Sequence, residues 1–352
     1  MSDFIASLAE RVRDHAARKA PLRIRGGGTK DFHGAPSTGE PLELAGYAGI
    51  IAYEPRELVL TVKAGTRLTD IEAALEAQGQ MLPFEPPHFG AAATIGGTVA
   101  CGFSGPRRPY AGAARDFVLG ARIVNGKGED LSFGGRVIKN VAGYDVSRLM
   151  AGALGTLGVI TELSFKVLPR PPAEATLAFE MDEAAMISAV NGWAGQPLPV
   201  SATAWEAGVL RVRLSGARSA VAAARVKLGG TEVADAELWW LALREQELAF
   251  FSGDRPLWRL SVGQTAPPID LGGPPLVEWG GGQRWYRGEF ERGLARDSAQ
   301  RAGGHATLFR FGDRAGGVFH PLAPAIARIH RRLKDAFDPA GILNPGRLDN
   351  FR

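Results

Sequence analysis

Cysteine is almost absent from this chain: Cys101 is the only one in 352 residues. Internal disulfides and a cysteine-held iron–sulfur cluster both need several cysteines, so both are excluded. The sequence also has no apolar run of about 18 residues, and its first 20 residues are charged and amphipathic, without an apolar signal core. These features predict a cytoplasmic protein without a membrane span.

Blocks of one charge are absent too. The net charge is +4, and the densest basic positions are the pairs Arg107–Arg108 and Arg331–Arg332. No helix-turn-helix, zinc-finger or RNA-binding signature accompanies them, so we expect no nucleic-acid partner. The dinucleotide motif G-x-G-x-x-G and the nucleotide-triphosphate loop G-x-x-x-x-G-K-[ST] are also missing, which excludes the two commonest nucleotide-binding folds.

Glycine, in contrast, is abundant, with 46 residues. A short strand at Leu22–Arg25 runs into Gly26, Gly27, Gly28 and Thr29. Successive backbone N–H groups in such a loop can bind phosphate oxygens, while Thr29 adds a hydroxyl and Arg25 a charge. An ordinary glycine-rich turn is the alternative for this segment alone.

Further small-residue segments follow in the first half of the chain. Thr94, Ile95, Gly96 and Gly97 offer hydroxyl groups and bare backbone, and Ser104 prolongs that surface. A later run includes Gly152, Gly155, Thr156, Gly158, Val159 and Ile160. If residues 146–154 are helical, the glycines at every third position share one face and allow either close cofactor approach or close strand packing.

The segment Lys139–Asp145 is distinctive. It contains Lys139, Asn140, Gly143 and Tyr144, and it is followed directly by the glycine run. Lys139 and Asp145 could pair with each other, or they could flank a cofactor ring with Tyr144 packed against it.

The pattern of elements predicts an α+β protein in two parts. Helix 3–18 and several strands up to Val167 form the first part, and Pro169–Pro172 is the clearest linker. We predict domains at 1–170, 171–320 and 321–352. The second part has alternating strands and helices without an obvious site, and the last segment is a helix followed by the turn-rich stretch Asp338–Arg347.

In their order and spacing, the glycine segments resemble the flavoproteins of the vanillyl-alcohol-oxidase and cresol-methylhydroxylase type, over residues 20 to about 170. Three motifs are similar to those of the glycolate oxidase and D-lactate dehydrogenase branch: Thr94–Gly97, Lys139–Asp145 and the closing Asn344–Arg347. Within it the chain looks most like the FAD-binding subunits that accompany a catalytic flavin subunit and an iron–sulfur subunit of glycolate oxidase.

The resemblance implies a two-subdomain FAD-binding domain, a smaller α+β cap domain, and a C-terminal segment that returns to the FAD domain. It implies non-covalent FAD, because Thr29 stands where related enzymes carry the histidine that attaches flavin. It implies contacts to that FAD from the residues named above: Arg25, Gly26, Gly27, Gly28, Thr29, Thr94, Ile95, Gly96, Gly97, Ser104, Lys139, Asn140, Gly143, Tyr144, Gly155, Thr156, Gly158, Val159 and Ile160.

One motif of the catalytic relatives is missing. They carry a histidine-rich metal segment, where this chain has Gly304–Asp313 with the single histidine His305. We therefore expect no metal, no independent catalysis, and action on a small 2-hydroxy acid only inside a complex that could associate peripherally with a membrane. The alternatives are a self-sufficient 2-hydroxy-acid dehydrogenase, with His305, His320 or Tyr144 as base, and a scaffold subunit without flavin.

Overall fold

The computed structural model describes residues 2–135 and 144–348. The chain forms two blocks, each built around an antiparallel sheet, and the fold is α+β as the sequence predicts. The elements of the first block are α1 (Ser2–Arg18), β1 (Leu22–Arg25), β2 (Glu40–Glu43), β3 (Ile50–Glu54), β4 (Val59–Lys63), α2 (Leu68–Glu76), β5 (Gln80–Met81), α3 (Ile95–Cys101), α4 (Arg108–Ala111), α5 (Ala114–Phe117), β6 (Val118–Val124), β7 (Asp130–Gly134), α6 (Val146–Leu149), β8 (Val159–Lys166) and β9 (Leu168–Pro169).

The main sheet of the first block has the strand order β3-β4-β8-β6-β7, with every pair antiparallel. β4 and β8 lie inside this sheet, where most of their side chains are buried. The predicted hairpin joins β6 to β7, and the Asn125 side chain closes its turn by accepting from the N–H groups of Lys127 and Glu129. β1 and β2 form a separate parallel pair beside α1.

The glycine run after α6 differs from the expected helix. The helix spans only Val146–Leu149, because Gly152 and Gly155 adopt φ values of +88° and +72°. These lie in the left-handed region, which interrupts an α-helix. The expectation of a helical glycine face is therefore wrong, and the run is instead a turn-rich loop that leads into β8.

The second block is an eight-stranded sheet with the order β13-β10-β12-β11-β15-β16-β14-β17. Helices α7, α8 and α10 pack on it, and an apolar cluster on its opposite face contacts Phe103 of the first block. Its elements are β10 (Ala173–Glu180), α7 (Glu183–Ala194), β11 (Val200–Glu206), β12 (Val209–Gly216), α8 (Arg218–Leu228), β13 (Thr231–Glu232), α9 (Ala236–Glu245), a 3₁₀ turn (Ala249–Phe251), β14 (Leu257–Ser261), β15 (Leu276–Glu278), a second 3₁₀ turn (Trp279–Gly281), β16 (Gln283–Arg287), α10 (Arg292–Arg301) and β17 (His305–Arg310).

After β17 the chain continues through α11 (Pro324–Phe337) to a segment that lies beside β1. Leu22 N–H donates to Ile342 O at 2.8 Å, and Asn344 N–H donates to Leu22 O at 3.0 Å. The last described residues thus extend the β1 edge, directly before the glycine loop. The division at 170 and 320 stays our proposal. No helix among the described residues is long and apolar enough to span a bilayer.

Candidate flavin site

A cleft of about 690 Å³ opens where β1 ends in the glycine loop. We call it the glycine cleft; Arg25, residues 26–30, Thr94, Gly96, Gly97, Gly155, Gly158, Ile160, Asn344 and Arg347 are among its lining residues. Within the described ranges, the N–H groups of residues 27–30 have no hydrogen-bond acceptor. A row of unpaired N–H groups along a cleft suits the oxygens of a phosphate.

Close packing explains why two positions of this loop are occupied by glycine. A Cβ on Gly27 would lie 1.5 Å from the Ala92 carbonyl oxygen, and one on Gly26 would lie 2.3 Å from Thr94 Oγ1. The loop therefore lies directly on the segment that precedes α3, and only glycine fits there. Thr29 does not present its hydroxyl hydrogen to the cleft, because Oγ1 donates to the carbonyl of His88 at 2.9 Å.

The turn from Thr94 to Gly97 is mainly structural. Thr94 caps α3, with its hydroxyl accepting from Gly97 N–H, while Ile95 and Gly96 donate their N–H groups to carbonyls on the loop before α2. Their donors are therefore used inside the protein. What this turn offers a ligand is the small surface of Gly96, Gly97 and Ala100.

Positive charge surrounds the glycine cleft. Arg25 pairs with Asp31 at 2.8 Å and lies 3.7 Å from Glu43, whereas Arg347 donates to two loop carbonyls of the described residues, at 3.4 Å. Lys30 Nζ donates to His88 O at 3.0 Å, and burial lowers the pKa of Lys30 to about 8. Among the described residues, Lys30 and Arg347 have no carboxylate at contact distance, and this free positive charge favours an anionic ligand.

Cys101 also lines the cleft, at the last residue of α3. Burial raises the pKa of its thiol to about 11, so it stays protonated at neutral pH. A protonated thiol is a poor nucleophile. Cys101 therefore acts as a small wall residue.

Several residues predicted to bind the cofactor lie away from this cleft. Ile95 and Val159 are fully buried in two apolar cores, and Thr156 donates its hydroxyl to Ala153 O at 2.7 Å. The Tyr144 side chain is 95% exposed and lines no described cavity. Lys139, Asn140 and Gly143 lie outside the described residues.

Ser104 lines a second cavity, of about 370 Å³, between the two blocks. We call it the aromatic cavity; its walls include Phe89, Phe103, Trp285 and Phe309. It adjoins the glycine cleft across the end of α3, since Cys101 faces one site and Phe103 the other. The structure thus assigns Ser104 to the cavity rather than to the glycine surface.

The histidines that sequence reasoning considered as bases face neither site. His305 is the first residue of β17, and His320 Nδ1 accepts from Ala306 N–H at 3.5 Å. In residues 2–135 and 144–348 no group of three histidine, cysteine or acidic side chains has the arrangement of a metal site.

Sequence reasoning missed Lys30, Asn344 and Arg347 as cleft residues. Asn344 accepts from Ile24 N–H and donates to Leu154 O, both at 2.7 Å, so it joins β1 to the glycine run. The stretch Asn344–Arg347 is recognisable as a motif, but its contacts span about 320 residues of sequence and cannot be deduced from spacing.

Comparisons with known proteins agree with this geometry. The FAD binding domain family matches residues 5–134, and the C-terminal domain family of FAD linked oxidases matches residues 322–348. Solved structures of p-cresol methylhydroxylase and alkyldihydroxyacetonephosphate synthase share the fold, with TM-scores of 0.70 and 0.67 at 17% and 16% identity. These comparisons cover 98% and 96% of this chain, and 87% and 74% of theirs.

Among curated relatives, the glycolate oxidase subunit GlcD of Bacillus subtilis is 34% identical over 161 residues, which is 45% of this chain and 34% of that protein. The glycolate oxidase subunit GlcE of Escherichia coli K12 is 49% identical over 346 residues, covering 98% of this chain and 97% of GlcE. The unpaired N–H row and the surrounding cations fit the diphosphate of FAD. The chain therefore belongs to the GlcE family of glycolate oxidase subunits, FAD-binding flavoproteins with the p-cresol methylhydroxylase fold.

Proposed function

We propose that this chain is the FAD-binding subunit of a multi-subunit glycolate oxidase, which oxidises glycolate to glyoxylate in the cytoplasm. A catalytic flavin subunit and an iron–sulfur subunit are its partners. The observation that carries the proposal is the extent of the similarity: it spans nearly the whole of GlcE but only a third of GlcD.

The residues of the glycine cleft would hold FAD without a covalent bond. The N–H groups of residues 27–30 would bind the diphosphate, and Lys30 and Arg347 would balance its charge. Gly155, Gly158 and Ile160 would line the remainder of the cofactor. Bound FAD would supply a two-electron acceptor, while the protein would provide its orientation and electrostatic environment.

The test is an anaerobic titration of the purified, FAD-loaded chain with glycolate, followed by flavin absorbance. We expect the flavin to stay oxidised in the isolated chain and to become reduced after the catalytic and iron–sulfur subunits are added. An FAD-loaded chain in which Gly192, an exposed residue of α7, is replaced by alanine serves as control for handling.

Either of two outcomes would refute the proposal. Flavin bleaching in the isolated chain would show a self-sufficient 2-hydroxy-acid dehydrogenase. A colourless chain that takes up no added FAD would show a scaffold subunit instead.

A further inference from the structure

The aromatic cavity contains an arginine whose charge is not paired at contact distance within the described residues. Arg259 lies on β14 between Trp285 of β16 and Thr307 of β17, on the sheet face that contacts the first block. Its guanidinium makes no hydrogen bond or ion pair with any described residue and lies 5.6 Å from the Phe309 ring centre. A partly buried charge without a contact partner reduces stability, and such charges cluster at sites where a ligand supplies the partner.

A buried carboxyl group faces the same cavity. Glu278 on β15 is 5% exposed, and its Oε1 accepts from Trp285 Nε1 at 2.6 Å and from Gln283 Nε2 at 3.0 Å. Within the described residues its Oε2 has no partner. Burial raises the pKa of Glu278 to about 7, so the group is largely neutral below that pH and can then donate a hydrogen bond.

Gln246 adds a third unsatisfied polar group. It follows α9, lines the cavity, and its Oε1 is buried without a hydrogen-bond partner in the described part of the chain. Buried polar atoms are rarely left unpaired unless a ligand or water satisfies them. A cation, a carboxyl group and an amide thus converge between aromatic walls.

Glu278 offsets the charge of Arg259 only when it is ionised, above about pH 7, and two further charged groups near the cavity do not neutralise Arg259. Arg244 on α9 is already paired with Glu245, at 2.8 Å. Arg108 on α4 stacks on Trp279, 4.4 Å from its ring centre, and adds positive charge near Arg259. The cavity therefore has an excess of positive charge while Glu278 is neutral, which favours an anionic ligand.

We propose that the aromatic cavity is a binding site for a small 2-hydroxy or 2-oxo carboxylate, whose carboxylate pairs with Arg259 and whose oxygen at C2 hydrogen-bonds to Glu278. An arginine fork matches a carboxylate in bidentate geometry. Gln246 and Ser104 supply further polar contacts. The choice of ligand rests on the proposed function, and the site is next to the cleft proposed for FAD.

The test uses the FAD-loaded full chain and calorimetric titration with glycolate and with glycolamide, its neutral amide. Because a charge-assisted hydrogen bond is lost with the amide, we expect glycolate to bind at least about tenfold more tightly. Arg259→Gln should abolish that preference, and Arg259→Lys should restore part of it. Arg255→Gln, on the exposed loop before β14, should leave it unchanged.

Thermal unfolding separates a binding role from a structural one. Since Arg259 makes no hydrogen bond or ion pair with any described residue, Arg259→Gln should keep or raise the melting temperature at pH 6, where Glu278 is largely neutral. A lower melting temperature together with unchanged glycolate affinity would show that Arg259 is only structural and would overturn the proposal.

Glu278→Gln provides a second, independent test if Arg259→Gln does not fold. At pH 8 the ionised Glu278 competes with the ligand for Arg259, so the variant should bind glycolate several-fold more tightly there and equally well at pH 6. If Glu278→Gln and the unaltered protein bind glycolate equally tightly at both pH values, the proposed site is contradicted. If the unaltered chain retains FAD but does not bind glycolate, only this site is refuted. If the unaltered chain does not retain FAD, the proposed function is refuted.

Discussion

At the residue scale, Gly97 is the loop-facing position whose substitution best tests flavin binding. Gly27 is unsuitable, because any side chain there meets the Ala92 carbonyl and displaces the loop. Gly97 lies in α3, lines the glycine cleft, and its Cβ would contact only Thr94 Oγ1, at 3.2 Å. It therefore allows a change of charge with little change of packing.

We expect Gly97→Asp to weaken FAD binding about tenfold or more relative to Gly97→Asn, because the two side chains have the same shape and only the carboxylate repels a diphosphate. Fluorescence titration of the apoprotein with FAD measures the difference. The pair Gly192→Asp and Gly192→Asn, at an exposed position of α7, should show none. Equal affinity of the two Gly97 variants would argue against a diphosphate beside α3.

Lys30 should make the affinity for FAD depend on pH. Burial keeps its pKa at about 8, so it is charged below this pH and neutral above it. An anionic ligand favours the charged form, so FAD affinity should be full below pH 8 and fall as pH rises toward about 9.5. Lys30→Gln should give a weaker and nearly flat profile.

The matched control for this profile is Lys63→Gln. Lys63 packs over the Tyr47 ring outside the glycine cleft, so its loss should leave the pH dependence intact. If the FAD affinity of the unaltered protein did not change with pH, Lys30 would not interact with the cofactor.

At the element scale, the C-terminal segment holds β1 at the correct place for the glycine loop. Asn344 has φ +41° and bonds both Ile24 N–H and Leu154 O. Asn344→Ala would leave two buried backbone groups unpaired, which should cost about 2–4 kcal/mol of the free energy of unfolding and lower flavin retention.

Urea unfolding measures this loss. Asn344→Gly removes the same hydrogen bonds but tolerates positive φ, so the difference between the two variants isolates backbone strain. A change below about 0.5 kcal/mol in both would mean that the segment does not stabilise β1.

The elements themselves show where sequence patterns are reliable. α1, β4, β6 and β8 follow from apolar periodicity, because each buries the face that its pattern defines. The helix expected at 146–154 ends early, since Gly152 and Gly155 take left-handed conformations that a helical pattern does not reveal. β14 to β17 were not predicted individually, because their buried charged residues break the apolar alternation.

At the scale of the whole molecule, two neighbouring sites arise where the blocks meet. The glycine cleft belongs to the first block and the returning C-terminal segment, and the aromatic cavity lies between Phe103 and the second sheet. The FAD family follows from local, ordered glycine motifs, and the comparisons confirm FAD as the cofactor.

The sequence by itself determined the α+β class, the FAD family and the glycine loop, because local spacing encodes backbone turns and close approach. Only the tertiary structure decided that Lys30, Asn344 and Arg347 join the cleft, and that Arg259, Glu278 and Gln246 meet in one cavity. These residues come from strands and loops far apart in the chain. Their meeting depends on strand register and on the packing of two sheets, which no short pattern records.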